Sequence, residues 1–189
     1  MKRLKRGGRI SMAITFRCNL SCNYCVADKP HGKTPQANEA TFEELKTFML
    51  RFPHKLREVK LTGGSPELHK AFVPFVNWLL SEGYYVTVFT NLCHTKTLQQ
   101  LNKSRRLIFI ASYHHDSMNV IKYTALYNKI KQGYRIVVHE LGKQQKLTYS
   151  RLYPLLEEKD FINDSLMIRV APDLTMQLDC WNIYNKAKT

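Results

Sequence analysis

The chain reads as an α/β protein built on a parallel sheet, and three observations predict this. Six short runs of apolar, β-branched and aromatic residues alternate with five helix-like stretches along most of its 189 residues. The runs are apolar enough to be covered on both faces, as parallel strands joined by right-handed helical crossovers are. The unusual polar residues fall at the ends of these runs, where parallel α/β sheets hold their ligands.

The first strand spans residues 9–16 and runs directly into a cysteine-bearing loop. A polar stretch containing Pro30, Gly32 and Pro35 follows as loop. A helix starts at Thr41-Phe-Glu-Glu: Thr41 can cap it, Glu43 and Glu44 suit its first turn, and Leu45, Phe48 and Met49 form its buried stripe. The second strand, 58–62, ends in Gly63-Gly64, and a helix over 68–80 is stopped by Gly83. The third strand covers 84–90, a short helix 95–102, and the fourth strand 107–113. A helix over 118–131 stops at Gly133, and the fifth strand covers 135–141. A fifth helix, 149–159, and a sixth strand, 165–170, complete the order. This order alone does not separate an open doubly wound sheet from a barrel-like one. It divides the chain into a basic tail (1–8), a core domain (9–171) and a short hairpin or tail (172–189).

The first strand leads into Cys-Asn-Leu-Ser-Cys-Asn-Tyr-Cys, which supplies Cys18, Cys22 and Cys25 from one loop. Three thiolates can hold three irons of a cubane iron–sulfur cluster and leave the fourth iron open. A bare electron carrier normally closes all four positions with cysteine, so an open iron points to an enzyme. Five cysteines, three of them clustered, suit metal binding in a reducing compartment better than a disulfide framework.

Composition is that of a globular protein, with 44% hydrophobic residues. No apolar run approaches the roughly 20 residues of a membrane span, and no signal-peptide core follows the N-terminus, so a cytoplasmic protein is expected. The formal charge of +14 is uneven: Lys2, Arg3, Lys5, Arg6, Arg9 and Arg17 precede the first acidic residue, Asp28. Such a tail is either an electrostatic handle for nucleic acid or another anion, or a solvated basic end.

The other strand ends are Thr62-Gly63-Gly64-Ser65-Pro66, Thr90-Asn91 and Ser112-Tyr113-His114-His115-Asp116. With these residues the chain resembles the radical S-adenosylmethionine (SAM) superfamily. The resemblance rests on a complete Cys-x3-Cys-x2-Cys motif, Tyr24 before the third cysteine, and Gly-Gly-x-Pro after the second strand. It implies a partial (β/α)6 TIM-like barrel with helices outside. It also implies a [4Fe–4S] cluster on Cys18, Cys22 and Cys25, SAM chelating the open iron, and reductive cleavage to a 5′-deoxyadenosyl radical. Reduction implies an external electron donor of flavodoxin or ferredoxin type. On the same resemblance Gly63 and Gly64 approach the SAM ammonium and Tyr24 lies beside the adenine. Ser65 stands where the family often has an acidic residue, with Glu67 as a substitute.

Alternation puts Ser112 and His114 on one face, within reach of SAM or substrate if that face is the barrel interior. Asn91 is a polar contact or ordinary turn chemistry. Only one of His139 and Glu140 can face inward, and His139 is expected to be the one. Val170 and Ala171 could lie against adenine. Cys93, after the third strand, reads as a buried or loop thiol, and Cys180 belongs to a short hairpin-like run resembling the start of an auxiliary-cluster region. The substrate is read as a small molecule, nucleotide-like or a peptide. Two competing readings are a zinc-bearing nucleic-acid module using Cys18, Cys22, Cys25 and His31, and a cluster protein without catalysis.

Overall fold

A computed structural model describes residues 8–22, 25, 39–52, 56–141, 167–170 and 176–179. In chain order these form β1 (Gly8–Thr15), α1 (Phe42–Leu50), β2 (Leu56–Gly63), α2 (Phe72–Ser81), β3 (Tyr85–Thr90) and α3 (Thr95–Leu98). They continue with β4 (Leu107–His114), α4 (Val120–Lys131), β5 (Arg135–Leu141), β6 (Met167–Val170) and β7 (Met176–Asp179). The fifth helix expected over 149–159 lies outside the described residues.

The strands form one sheet in the order β5-β4-β3-β2-β1-β6-β7, parallel from β5 to β6. This is an α/β partial barrel. The sixth strand does not extend the run beyond β5. It pairs with β1 instead, Met12 opposite Val170, and carries the antiparallel β7 outside it.

Each helix starts and packs for local reasons. Thr41 caps α1 in a reciprocal box: Glu44 N donates to Thr41 Oγ1 (3.3 Å), and Thr41 N donates to Glu44 Oε2 (2.7 Å). Asn119 caps α4 by accepting from Ile121 N and Lys122 N. The helix expected over 68–80 begins later, at Phe72. Pro66–Leu68 form a 3-10 turn and His69 is extended (φ −75°, ψ 133°), which lets its Nδ1 accept from Ala71 N at 3.1 Å.

One face of the sheet carries the core. Ile10, Met12, Ile14, Val59, Leu61, Val86, Val88 and Phe109 are buried there against Leu45, Phe48, Phe72, Phe75 and Leu79 from the helices. Tyr123 of α4 donates its hydroxyl hydrogen to Ala111 O on β4 (2.8 Å). The opposite, inner face is not apolar throughout, as full cover by helices would require. On β2 it presents Glu58, Lys60 and Thr62, alternating with buried Val59 and Leu61. Arg9 pairs with Glu58 at 2.8 Å, and Thr87 Oγ1 donates to the same carboxylate.

Candidate functional site

The cysteine loop leaves β1 where the end of β2 presses against it. Gly64 N donates to Thr15 O (3.0 Å) and Ser65 N to Arg17 O (2.7 Å), so pairing of the two chain segments continues past their strands. Gly63 has φ +113°, which favours glycine, and a Cβ there would lie 2.4 Å from Thr15 O. At Gly64 a Cβ would lie 1.9 Å from Arg17 O. The paired glycines therefore permit close approach to β1 and the base of the cysteine loop.

That base holds a buried ion pair that no motif reveals. The Arg17 guanidinium bonds Glu39 through Nε (3.0 Å) and Nη2 (2.9 Å), a two-pronged contact, and Thr15 Oγ1 donates to the same carboxylate. His69 Nε2 lies 3.9 Å from Glu39. Burial pushes the His69 pKa down, against the upward pull of Glu39, so Arg17 and Glu39 balance one another beside a neutral imidazole.

Polar groups from four segments meet the sulfurs. Leu20 N donates to Cys18 Sγ (3.4 Å), and Ser65 Oγ lies 3.7 Å from that sulfur. Cys22 is buried, with His114 Nδ1 at 3.4 Å and the Ser117 hydroxyl at 3.6 Å from its sulfur. Cys25 N donates to Cys22 O (3.1 Å). Burial, with His139 beside it, lowers the His114 pKa. Register pairs Ser112 with His139 across β4 and β5, so Ser112, His114 and His139 share the inner face and Tyr113 does not.

Asn91 serves two purposes. Its Oδ1 accepts from Cys93 N (3.0 Å), closing a local turn, while its Nδ2 donates to Asn19 Oδ1 (2.9 Å) and Ser65 Oγ (3.3 Å). Leu92 in that turn has φ 62°, a left-handed conformation unusual for leucine, and is fully buried. Cys93 is exposed. Tyr24, His31, Ala171 and Cys180 lie outside the described residues, and Val170 is placed only by its strand register.

Glu67 does not line an open site. It is 5% exposed, Thr90 Oγ1 donates to its Oε1, and Oε2 has no hydrogen-bond partner among the described residues. Burial raises its pKa to about 7 from the ordinary 4.5. The folded state therefore holds a proton that the unfolded chain releases between those values. The contribution of Glu67 to stability is fully present below about pH 4.5 and is lost as pH rises to about 7, by about 3 kcal/mol in total. Urea midpoints of wild type and Glu67→Gln from pH 4.5 to 8 check this: the variant should lack that share of the slope. Parallel pH profiles would exclude it.

The donor set suits a cluster. Among the described residues no three His, Cys, Asp or Glu side chains converge as ligands of one metal ion. Three cysteines from one loop supply soft thiolates, which a cubane takes on separate irons. Asn19, Ser117, Lys60 and the Arg17–Glu39–His69 group are the site residues that sequence reasoning missed. Lys60 had a readable signal, the alternation of Glu58, Lys60 and Thr62 along one strand.

The family model of the radical SAM superfamily matches residues 12–139. A GTP 3′,8-cyclase of Sulfurimonas denitrificans is 34% identical over 71 residues, covering 37% of this chain and 22% of that protein. An S-adenosylmethionine-dependent nucleotide dehydratase of Selenomonas ruminantium is 28% identical over 85 residues, covering 44% of this chain and 29% of that protein. The chain thus spans about a quarter of the length of these relatives. BtrN, crystallised with AdoMet and 2-DOIA, superposes with TM-score 0.55 at 15% identity, covering 96% of this chain and 76% of that one. Streptococcus suis SuiB bound to the precursor peptide SuiA gives 0.54 at 17% identity, covering 70% and 32%. At these identities the two structures speak for the fold.

Proposed function

From the premise that the chain belongs to the radical SAM superfamily, whose cofactors are a [4Fe–4S] cluster and SAM, we propose that it is an enzyme that cleaves SAM reductively. In this reading Cys18, Cys22 and Cys25 would hold the cluster, which with SAM would supply 5′-deoxyadenosyl radical chemistry for hydrogen abstraction from a bound substrate. The observation that carries the reading is the meeting, at the ends of β1, β2, β3 and β4, of the cysteine loop with Ser65, Asn91 and His114. The cluster would supply the electron for cleavage, replenished by a flavodoxin-like or ferredoxin-like donor. This chain's residues do the rest. The thiolates bind iron, and Ser65, Asn91 and His114 orient the loop. The inner face of β4 and β5 offers Ser112 and His139 to SAM or substrate.

A nucleotide-like substrate is the favoured class. Lys60 is half-buried on the inner face, between Glu58 and Thr62, and among the described residues it has no ion-pair partner. It is therefore available to an anionic group, and two kinds of relative carry nucleotide activities in their names. Peptide modification is the second candidate, because SuiB binds a precursor peptide.

Anaerobic reconstitution with iron and sulfide, reduction by dithionite and assay for 5′-deoxyadenosine test the reading, with Cys22→Ala as the blank. SAM cleavage that GTP or CTP accelerates supports both parts. Acceleration by a small peptide alone moves the substrate class. Stoichiometric zinc without SAM cleavage sinks the enzyme.

A further inference from the structure

Ser65 is 1% exposed, and its N–H is fixed to Arg17 O, the carbonyl immediately before Cys18. Its Oγ has three polar neighbours: Asn19 Oδ1 at 2.8 Å, Asn91 Nδ2 at 3.3 Å and Cys18 Sγ at 3.7 Å. A hydroxyl has one hydrogen to donate, whereas the Asn91 amide has two. One amide hydrogen already reaches Asn19 Oδ1 at 2.9 Å, so that acceptor is satisfied without the serine. The other occupies a lone pair on Ser65 Oγ. When Cys18 is a thiolate it cannot donate, and the serine hydrogen is the one left to turn toward sulfur.

We propose that Ser65 is a positioning residue whose hydroxyl, accepting from Asn91, turns its one hydrogen from Asn19 Oδ1 to the Cys18 sulfur of a bound cluster and makes that cluster easier to reduce. The inference rests on the cofactor reading above. Hydrogen bonds to cluster sulfurs stabilise the more negative, reduced state and are one of the levers that set the potential. The Leu20 N–H, at 3.4 Å from the same sulfur, acts in the same sense. A serine here does something a carboxylate could not, because an ionised acid has no hydrogen to give.

The test is an EPR-monitored redox titration of the reconstituted full chain, with iron and sulfide counted for each sample. Wild type, Ser65→Ala and Ser65→Thr are compared. The alanine variant should retain iron yet be about tenfold harder to reduce, a fall of about 59 mV for one electron. The threonine variant, which keeps the hydroxyl, should stay within about twofold of wild type, a result that mere packing around Ser65 would not require. An alanine variant that holds a full cluster at the wild-type potential overturns the proposal. If Ser65→Ala holds no iron, Asn91→Ala carries the expectation. It leaves the hydroxyl in place but returns its hydrogen to Asn19, and it must also be harder to reduce. Wild-type protein that binds no iron and sulfide at all fails at the cofactor reading, which is a different result from an unchanged potential.

Discussion

Gly64→Ala is expected to cost at least about 4 kcal/mol and to empty the cysteine loop of iron, a size that single substitutions reach only through a specific mechanism. The mechanism here is backbone against backbone. The added Cβ would lie 1.9 Å from Arg17 O and 2.6 Å from Arg17 C, and neither atom can swing aside as a flexible side chain would. Either β1 or the turn after β2 must retreat. Retreat breaks the Gly64 N to Thr15 O and Ser65 N to Arg17 O bonds, and the second of these sets the residue before Cys18. Gly83→Ala is the matched control: φ is +87°, but the nearest atom is the end of Arg106, 3.6 Å away. Its cost is the left-handed conformation alone, about 1–2 kcal/mol, with iron binding intact. Urea unfolding and iron content of the two variants settle the matter. A Gly64→Ala chain within about 1 kcal/mol of wild type would show that the approach is not rigid.

Those glycines show where sequence reading succeeds and where it stops. Their presence after β2 was legible, and so was the helix start at Thr41 and Glu44, because a capping box is written in adjacent residues. The bounds of β5 were legible from its β-branched run between Gly133 and the next polar stretch. Alternation separated Ser112 and His114 from Tyr113. The late start of α2 was not legible, because His69 leaves the helical backbone for a bond to Ala71 beside the Arg17–Glu39 pair. Nor was the place of β6 beside β1, since a strand's neighbour is decided by packing and not by its own residues. His114 illustrates the same limit. Its face follows from periodicity, but its contact with Cys22, across 92 positions of chain, does not.

Arg17→Met should destabilise the protein by about 3–5 kcal/mol, the range for breaking one side of a buried ion pair. The loss comes less from the missing attraction than from what remains. Glu39 would keep its carboxylate in a buried site with Thr15 as its hydroxyl donor and a neutral His69 at 3.9 Å. Replacing both charges should therefore be milder than replacing the arginine alone. Arg17→Met with Glu39→Gln should recover at least about 1 kcal/mol of the loss, a coupling expected of residues in direct contact. Because the guanidinium clamps the start of the loop to Glu39 through Nε and Nη2, the single variant should loosen the cysteine loop and lower iron retention after reconstitution, although the Arg17 N to Thr15 Oγ1 bond (3.0 Å) stays in place. The double variant should regain stability more fully than iron, since its backbone anchor survives but the two-pronged clamp does not. Strictly additive losses in the cycle, or an Arg17→Met chain as stable as wild type, would remove the ion pair from the account of how the loop is held. Under the expected result, the cysteines owe their placement to a charge pair and a pair of glycines lying just behind them.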